Sequence, residues 1–182
     1  MIAISYLQMV AAISILWVIV RVVCCKRAGG WSLKRELLLL LVYICIIVVV
    51  RFTFCPFGKV DGKIQPLLFD AGQIFPLKLN LKPLVYLFDY PTGGEALLNL
   101  IGNTAMFLPL GIVWPSVFKR LNTHWKVIGA GFGASLCIEI LQLPFFDRTS
   151  DVDDLVLNTV GFAIGYGIYL LVKKVAALLR KA

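Results

Sequence analysis

The chain has 182 residues, of which 60% are hydrophobic, a mean hydropathy of +0.89 and a formal charge of +8. Soluble domains average about 45–50% apolar residues, so lipid must form part of the solvent for this chain. The basic residues flank hydrophobic runs instead of gathering on a soluble segment with interleaved aromatics, which argues against a nucleic-acid partner. None of the five cysteines, at 24, 25, 45, 55 and 137, stands in a C-x-x-C pair, so zinc and thiol-redox motifs find no support.

The first uncharged run, Ile2 to Val20, is long enough to span a bilayer. No basic segment precedes it and no small-x-small cleavage site precedes Arg21, so it reads as a retained helix. A second run covers Leu37 to Val50 and extends through Arg51 to Phe54, with Arg51 able to snorkel to the interface. The third spans Ala96 to Phe118, with Pro109-Leu-Gly111 marking an expected kink. The fourth runs from Val127 to Phe146 and the fifth from Asp153 to Val172. The expected fold is therefore all-α, a polytopic membrane bundle of five transmembrane helices.

Three basic segments set the orientation: Lys26, Arg27, Lys34 and Arg35; Lys119, Arg120 and Lys126; and Lys173, Lys174, Arg180 and Lys181. With five crossings all three fall on one side, the cytoplasmic one, and the amino terminus lies outside. Residues 1–36 then form an N-terminal helix and its basic linker, 37–172 the main membrane domain, and 173–182 a basic cytoplasmic tail. Residues 55–95 hold prolines at 56, 66, 76, 83 and 91, which argue against a spanning helix. Being rich in Leu, Phe and Ile, this stretch is expected to lie on the outer interface over the helix ends.

Polar residues interrupt the apolar runs on one side only. A carboxylate inside a membrane helix costs about 2.5–3.5 kcal/mol on insertion scales and marks a partner or a task. Residues three and four apart share a helical face, which aligns Asn99 with Asn103, Glu139 with Gln142, and Asp151, Asp154 and Asn158 with one another. At 1.5 Å per residue, Asn103, Glu139 and Asn158 each lie roughly 8–10 Å below the outer boundary. Three separate helices thus place polar groups at one depth, close to Arg148, with Arg51 as a further counter-charge. The pairs Gly129/Gly133 and Gly161/Gly165 permit close helix packing. His124, the single histidine, falls at the opposite end, which excludes a histidine-based triad or metal site there; Ser135 has no such base on its side.

This ordered series resembles the VanZ-like family of bacterial membrane proteins. The resemblance rests on Asn99-Leu-Ile-Gly-Asn103 through Pro109-Leu-Gly111, on Glu139-Ile-Leu-Gln142, on Arg148, on Asp151-Val-Asp153-Asp154, and on Asn158-Thr-Val-Gly161-Phe-Ala-Ile-Gly165. A weaker echo is Asn80-Leu-Lys-Pro83, where the family carries Asn-Leu-x-Pro-Phe and this chain has Leu84. It covers roughly residues 37 to 172, so the first helix looks like an addition to a four-helix unit. The resemblance implies a multi-pass protein of the bacterial cytoplasmic membrane. Through the family's name-giving member, it also implies a link to resistance against teicoplanin, a lipoglycopeptide. It implies no established reaction.

Three functions follow as expectations. The first is binding or modification of an outer-leaflet amphiphile, a lipid-linked envelope molecule or a lipidated antibiotic. Asn80, Asn99, Asn103, Gln142, Asp151 and Asn158 would hold its polar atoms and Arg148 an anionic group. Glu139 and Asp154 would serve as acid or base if there is chemistry, which is then acid/base or metal-assisted transfer. Glu139, Asp151 and Asp154 would be the donors if a divalent cation such as Mg²⁺, Ca²⁺ or Mn²⁺ is bound. The second is a proton- or cation-coupled carrier or flippase component, for which a homo-oligomer would supply the polar inner half this chain lacks. The third is an architectural protein whose polar residues only lock helices together.

Overall fold

The computed structural model describes residues 1–28, 32–55, 59–60, 62–82, 93–146 and 148–181. Among them stand five long helices: α1 (Tyr6–Ala28), α2 (Leu33–Phe54), α3 (Gly93–Val117), α4 (His124–Gln142) and α5 (Val152–Leu179). The chain is mostly helical, as its apolar runs require. Helices α1, α2, α3 and α5 are each long and apolar enough to cross a membrane. Helix α4, with His124-Trp125-Lys126 in its first turn and Glu139 in its last, is not among these four. The chain divides into two compact units, Met1–Lys78 with Gln142–Arg148, and Leu79–Leu141 with Thr149–Ala182.

The first unit is built on an antiparallel hairpin of α1 and α2. Ser14 Oγ lies 2.6 Å from Tyr43 OH, and the Trp17 ring packs on Tyr43 at 5.5 Å. Arg21 makes a two-pronged ion pair with Glu36, and the Arg51 guanidinium sits 5.9 Å over the Tyr6 ring. The Arg21 pair explains why α1 runs through a charge instead of ending at Val20. At its other end the helix starts late, because Ile2–Ile4 forms strand β1. A short hairpin, β2 (Lys59–Val60) with β3 (Lys63–Ile64), precedes β4 (Leu67–Phe69), which pairs antiparallel with β1. Phe145 packs edge-on against both Phe54 and Phe69, and Asp70 N and Phe146 N bond to Pro144 O and Leu68 O. Residues 67–70 are thus tied to the amino-terminal strand and to the turn after α4 by backbone bonds. Pro56, Pro83 and Pro91 lie outside the described residues.

In the second unit α3, α4 and α5 pack together. Gly161 lies against Thr104 O, Gly165 against Leu108 O and Gly111 against Phe162 O, so closely that a Cβ at any of the three would overlap the facing carbonyl. Rising numbers on α3 meet rising numbers on α5, so these two helices are parallel. Helix α4 runs antiparallel to α5: Ser135 bonds Asn158, Gly131 receives the Phe162 ring, and His124 Nδ1 meets Tyr166 OH at 2.9 Å. Phe107 and Phe162 are fully buried, and Trp114 packs against Phe162 at 5.6 Å. The α4 packing differs from the expected one. Gly129 and Gly133 face nothing within 4 Å, and Gly131, one residue off that stripe, makes the contact. Helix α3 continues through Pro109 and Pro115 to Val117. Of the tryptophans, Trp17 and Trp114 make ring contacts inside their units, and Trp125 is exposed.

Replacing Gly161 or Gly165 by Ala forces backbone apart, since a carbonyl cannot swing away as a side chain can. The expected cost is about 1–3 kcal/mol, read as a lower melting midpoint and folded yield in detergent. Gly133→Ala should leave both unchanged, and an equal loss in all three variants would refute the packing argument.

Candidate functional site

The second unit gathers its polar side chains where α5 begins. Asp151 is the N-cap of α5, in extended conformation, and its Oδ1 accepts from Asp153 N at 2.8 Å. An Asp here satisfies one of the helix's unbonded amides and complements the positive end of its dipole. The other oxygen, Oδ2, accepts from Asn80 Nδ2 at 2.9 Å. Asn80 is placed by a short parallel pairing of β5 (Leu79–Asn80) with β6 (Ser150–Asp151). The backbone N–H of Asp151 donates to Glu139 Oε2 at 2.8 Å. Glu139 is 3% exposed. One short turn thereby connects the end of α4, the start of α5 and the segment before α3.

A second set joins α3 to α5. Asn103 Nδ2 donates to Asn99 Oδ1 at 2.7 Å and to Asp154 Oδ1. One turn further along α5, Asn158 is fully buried and its Nδ2 donates to the equally buried Ser135 Oγ at 3.0 Å. Asn158 Oδ1 is buried too and has no hydrogen-bond partner among the described residues. Which amide atom is O and which is N is assigned from this network; either assignment leaves one amide atom unsatisfied.

Of the expected site residues, Asn80, Asn99, Asn103, Glu139, Asp151, Asp154 and Asn158 thus meet within one unit. Gln142 and Arg148 belong to the other. There Gln142 Nε2 donates to Thr53 O at 2.8 Å and Arg148 Nη2 to Phe54 O at 2.7 Å. Both carbonyls are among the last of α2, which have no intrahelical partner, and a cation suits the negative end of the helix dipole. Arg51 donates to Cys55 O at 3.4 Å in the same region. Asp147 lies outside the described residues.

Ser135 was set aside on sequence for want of a base. Its spacing of four from Glu139 was the signal that it shares the polar face of α4. Among the described residues no three acidic, histidine or cysteine groups converge as a metal set, and both Asp151 oxygens accept N–H bonds. An apolar groove on α3, about 280 Å³ and lined by Leu100, Ile101, Thr104, Ala105 and Leu108, lies away from the carboxylates.

Together these features define a polytopic helical membrane protein with a buried polar cluster at one end of a glycine-packed helix trio. A family model, VanZ/LLP1, matches residues 40–173, and the chain belongs to that family. It is also similar to a Bacillus subtilis (strain 168) protein described as "Uncharacterized membrane protein YwnJ", with 30% identity over 91 residues. That similarity takes in 50% of this chain and 62% of the relative, under two thirds of its length. No solved structure matches the chain.

Ser135→Ala would leave Asn158 with no bond at either amide atom, an expected loss of about 1–3 kcal/mol. Adding Asn158→Leu to that variant should recover part of the loss. Chemical or thermal unfolding of the two single variants and the double one measures the coupling, and strict additivity would contradict the bond.

Proposed function

We propose that the polar end of the second unit binds the head group of a membrane amphiphile in the outer leaflet of the bacterial cytoplasmic membrane. The candidates are a lipid-linked cell-envelope molecule or a lipidated glycopeptide such as teicoplanin. In this reading Asn99, Asn103 and Asn158 hold polar atoms, and Asn80 and Asp151 keep the α5 cap in place. Glu139 and Asp154 supply charge or take up a proton. Arg148 and Gln142 act in the other unit by fixing the end of α2. The observation that carries the proposal is the burial of Glu139, with Asp154 and Asn158 on the facing helix, at one end of otherwise apolar helices.

The reading takes all five helices as crossing, with the amino terminus outside. Its support is positional. From His124 to Glu139, α4 rises about 22 Å, and it is held against α5 at Tyr166, Phe162, Asn158 and Asp151. A helix that tracks its neighbour this far shares its depth in the bilayer. The basic residues of the α1–α2 and α3–α4 links and those after Val172 then lie on the cytoplasmic side.

A second reading draws on Asn103, whose bond to Asp154 ties α3 to α5: the polar cluster is architectural only. Native mass spectrometry of detergent-purified wild type and Glu139→Gln separates the two. Ligand binding is expected to show a defined co-purified adduct in the wild type that is lost from a well-folded variant. No adduct in either, together with a poorly folded variant, would sink the ligand reading in favour of the architectural one.

A further inference from the structure

Helix α5 is longer than the hydrocarbon of a bilayer. Its 28 residues, Val152–Leu179, rise roughly 42 Å against about 30 Å of apolar thickness. The apolar run ends at Val172, so the surplus is the stretch that follows it. Helix α4 begins at His124, which meets Tyr166, and every residue from Leu171 to Lys181 is exposed, so neither α3 nor α4 covers this length. Lys173 and Arg180 follow Tyr166 at intervals of seven, and Lys174 and Lys181 repeat that interval beside them. The four bases therefore prolong the face that α5 turns to α4. On the opposite face Leu171, Val172, Val175, Leu178 and Leu179 recur at three- and four-residue steps, all of them exposed. Lys119 and Arg120, in the link that leads into α4, are exposed at the same end of the unit. From Phe118 to Val127 and from Tyr166 to Lys181 the chain has no Asp or Glu, and none of these six bases is ion-paired among the described residues.

We infer that this end of the second unit is a seat for anionic phospholipid. The phosphates meet Lys173, Lys174, Arg180 and Lys181, Lys119 and Arg120 add charge from the link, and the acyl chains cover the apolar stripe opposite. Cations gathered at one end without a counter-charge repel one another, and anions drawn to them relieve that repulsion. Depth favours the lipid as their source. Hydrocarbon and head groups together measure about 40–45 Å, so the last turns of α5 occupy the head-group layer. The stripe selects among anions: a free phosphate or an acidic soluble protein would neutralise the bases and leave the leucines and valines in water. A lipid satisfies both faces of an amphipathic segment at once. The seat lies at the far end of the helices from Glu139 and Asp151, so it stands whatever is bound there.

The test gives the full chain, in an uncharged maltoside detergent, one of four additives: phosphatidylglycerol, phosphatidylcholine with the same acyl chains, glycerol phosphate or poly-glutamate. Retained lipid is read by native mass spectrometry and stabilisation by the melting midpoint, each at low and high sodium chloride. Phosphatidylglycerol is expected to bind at least ten-fold more tightly than phosphatidylcholine, with the difference shrinking as salt rises. The four-fold variant Lys173→Gln, Lys174→Gln, Arg180→Gln and Lys181→Gln changes only exposed positions. It is expected to melt like the wild type without lipid and to lose most of the preference. Lys119→Gln with Arg120→Gln should lose a smaller part, and Leu178→Gln with Leu179→Gln, which keeps every charge, should weaken both lipids. Equal retention of the two lipids would overturn the charge argument, and an undiminished preference in the four-fold variant would overturn its placement on α5. If that variant does not fold, the link variant and the salt series decide. Glycerol phosphate or poly-glutamate stabilising as strongly as phosphatidylglycerol would overturn the lipid in favour of a free anion or an acidic protein.

Discussion

The backbone contact between α3 and α5 is the constraint from which the second unit follows. In lipid the hydrophobic effect does little to bring helices together, so association falls to close packing and interhelical bonds. Gly111, Gly161 and Gly165 remove the side chains that would hold the two backbones apart. Carbonyls point toward the carboxyl end of a helix and side chains lean toward its amino end. The register that puts Gly161 on Thr104 O therefore also brings the Asn103 side chain up to Asp154, two turns earlier on α5. Packing at mid-helix and polar contact at the helix end are two consequences of one alignment.

Helix α4 is laid onto that pair by a different means. Its glycine at 131 accommodates the Phe162 ring, while Ser135 and Glu139 reach α5 by hydrogen bonds. Asp151 then holds the assembly at its open end: its side chain caps α5 and takes Asn80, and its amide holds Glu139. Three chain segments far apart in sequence depend on this one residue, and each bond uses a different atom of it.

Much of this was legible in the sequence because membrane helices announce themselves by length and apolarity. All five helices fall where the runs predict, and the α3–α5 polar stripe follows from three- and four-residue spacing. What was not legible depended on partners remote in the chain. Ile2–Ile4 reads as helix but pairs as a strand with Leu67–Phe69. Gln142 and Arg148 bond backbone carbonyls at Thr53 and Phe54, partners that leave no mark on a sequence. Gly129 and Gly133 fit a packing motif, but the choice among α4 glycines was made by the Phe162 ring of a facing helix. Helix α5 passes Lys173 and Lys174 because charged residues end a hydrophobic run without ending a helix.

The remaining question is energetic: whether packing alone accounts for Glu139. Interhelical hydrogen bonds in membranes average about 0.6 kcal/mol, with the largest near 1.7. Placing a carboxylate in the hydrocarbon costs about 2.5–3.5 kcal/mol. Glu139 gains the Asp151 amide in return. A Gln at 139 would accept the same amide bond with no charge to desolvate. Asn158 points the same way, since a buried amide atom without a partner is a net cost that an apolar residue of similar size would avoid. The glycine contacts already fix the helices. The buried carboxylate and the unsatisfied amide atom therefore cost stability that the glycine contacts do not require.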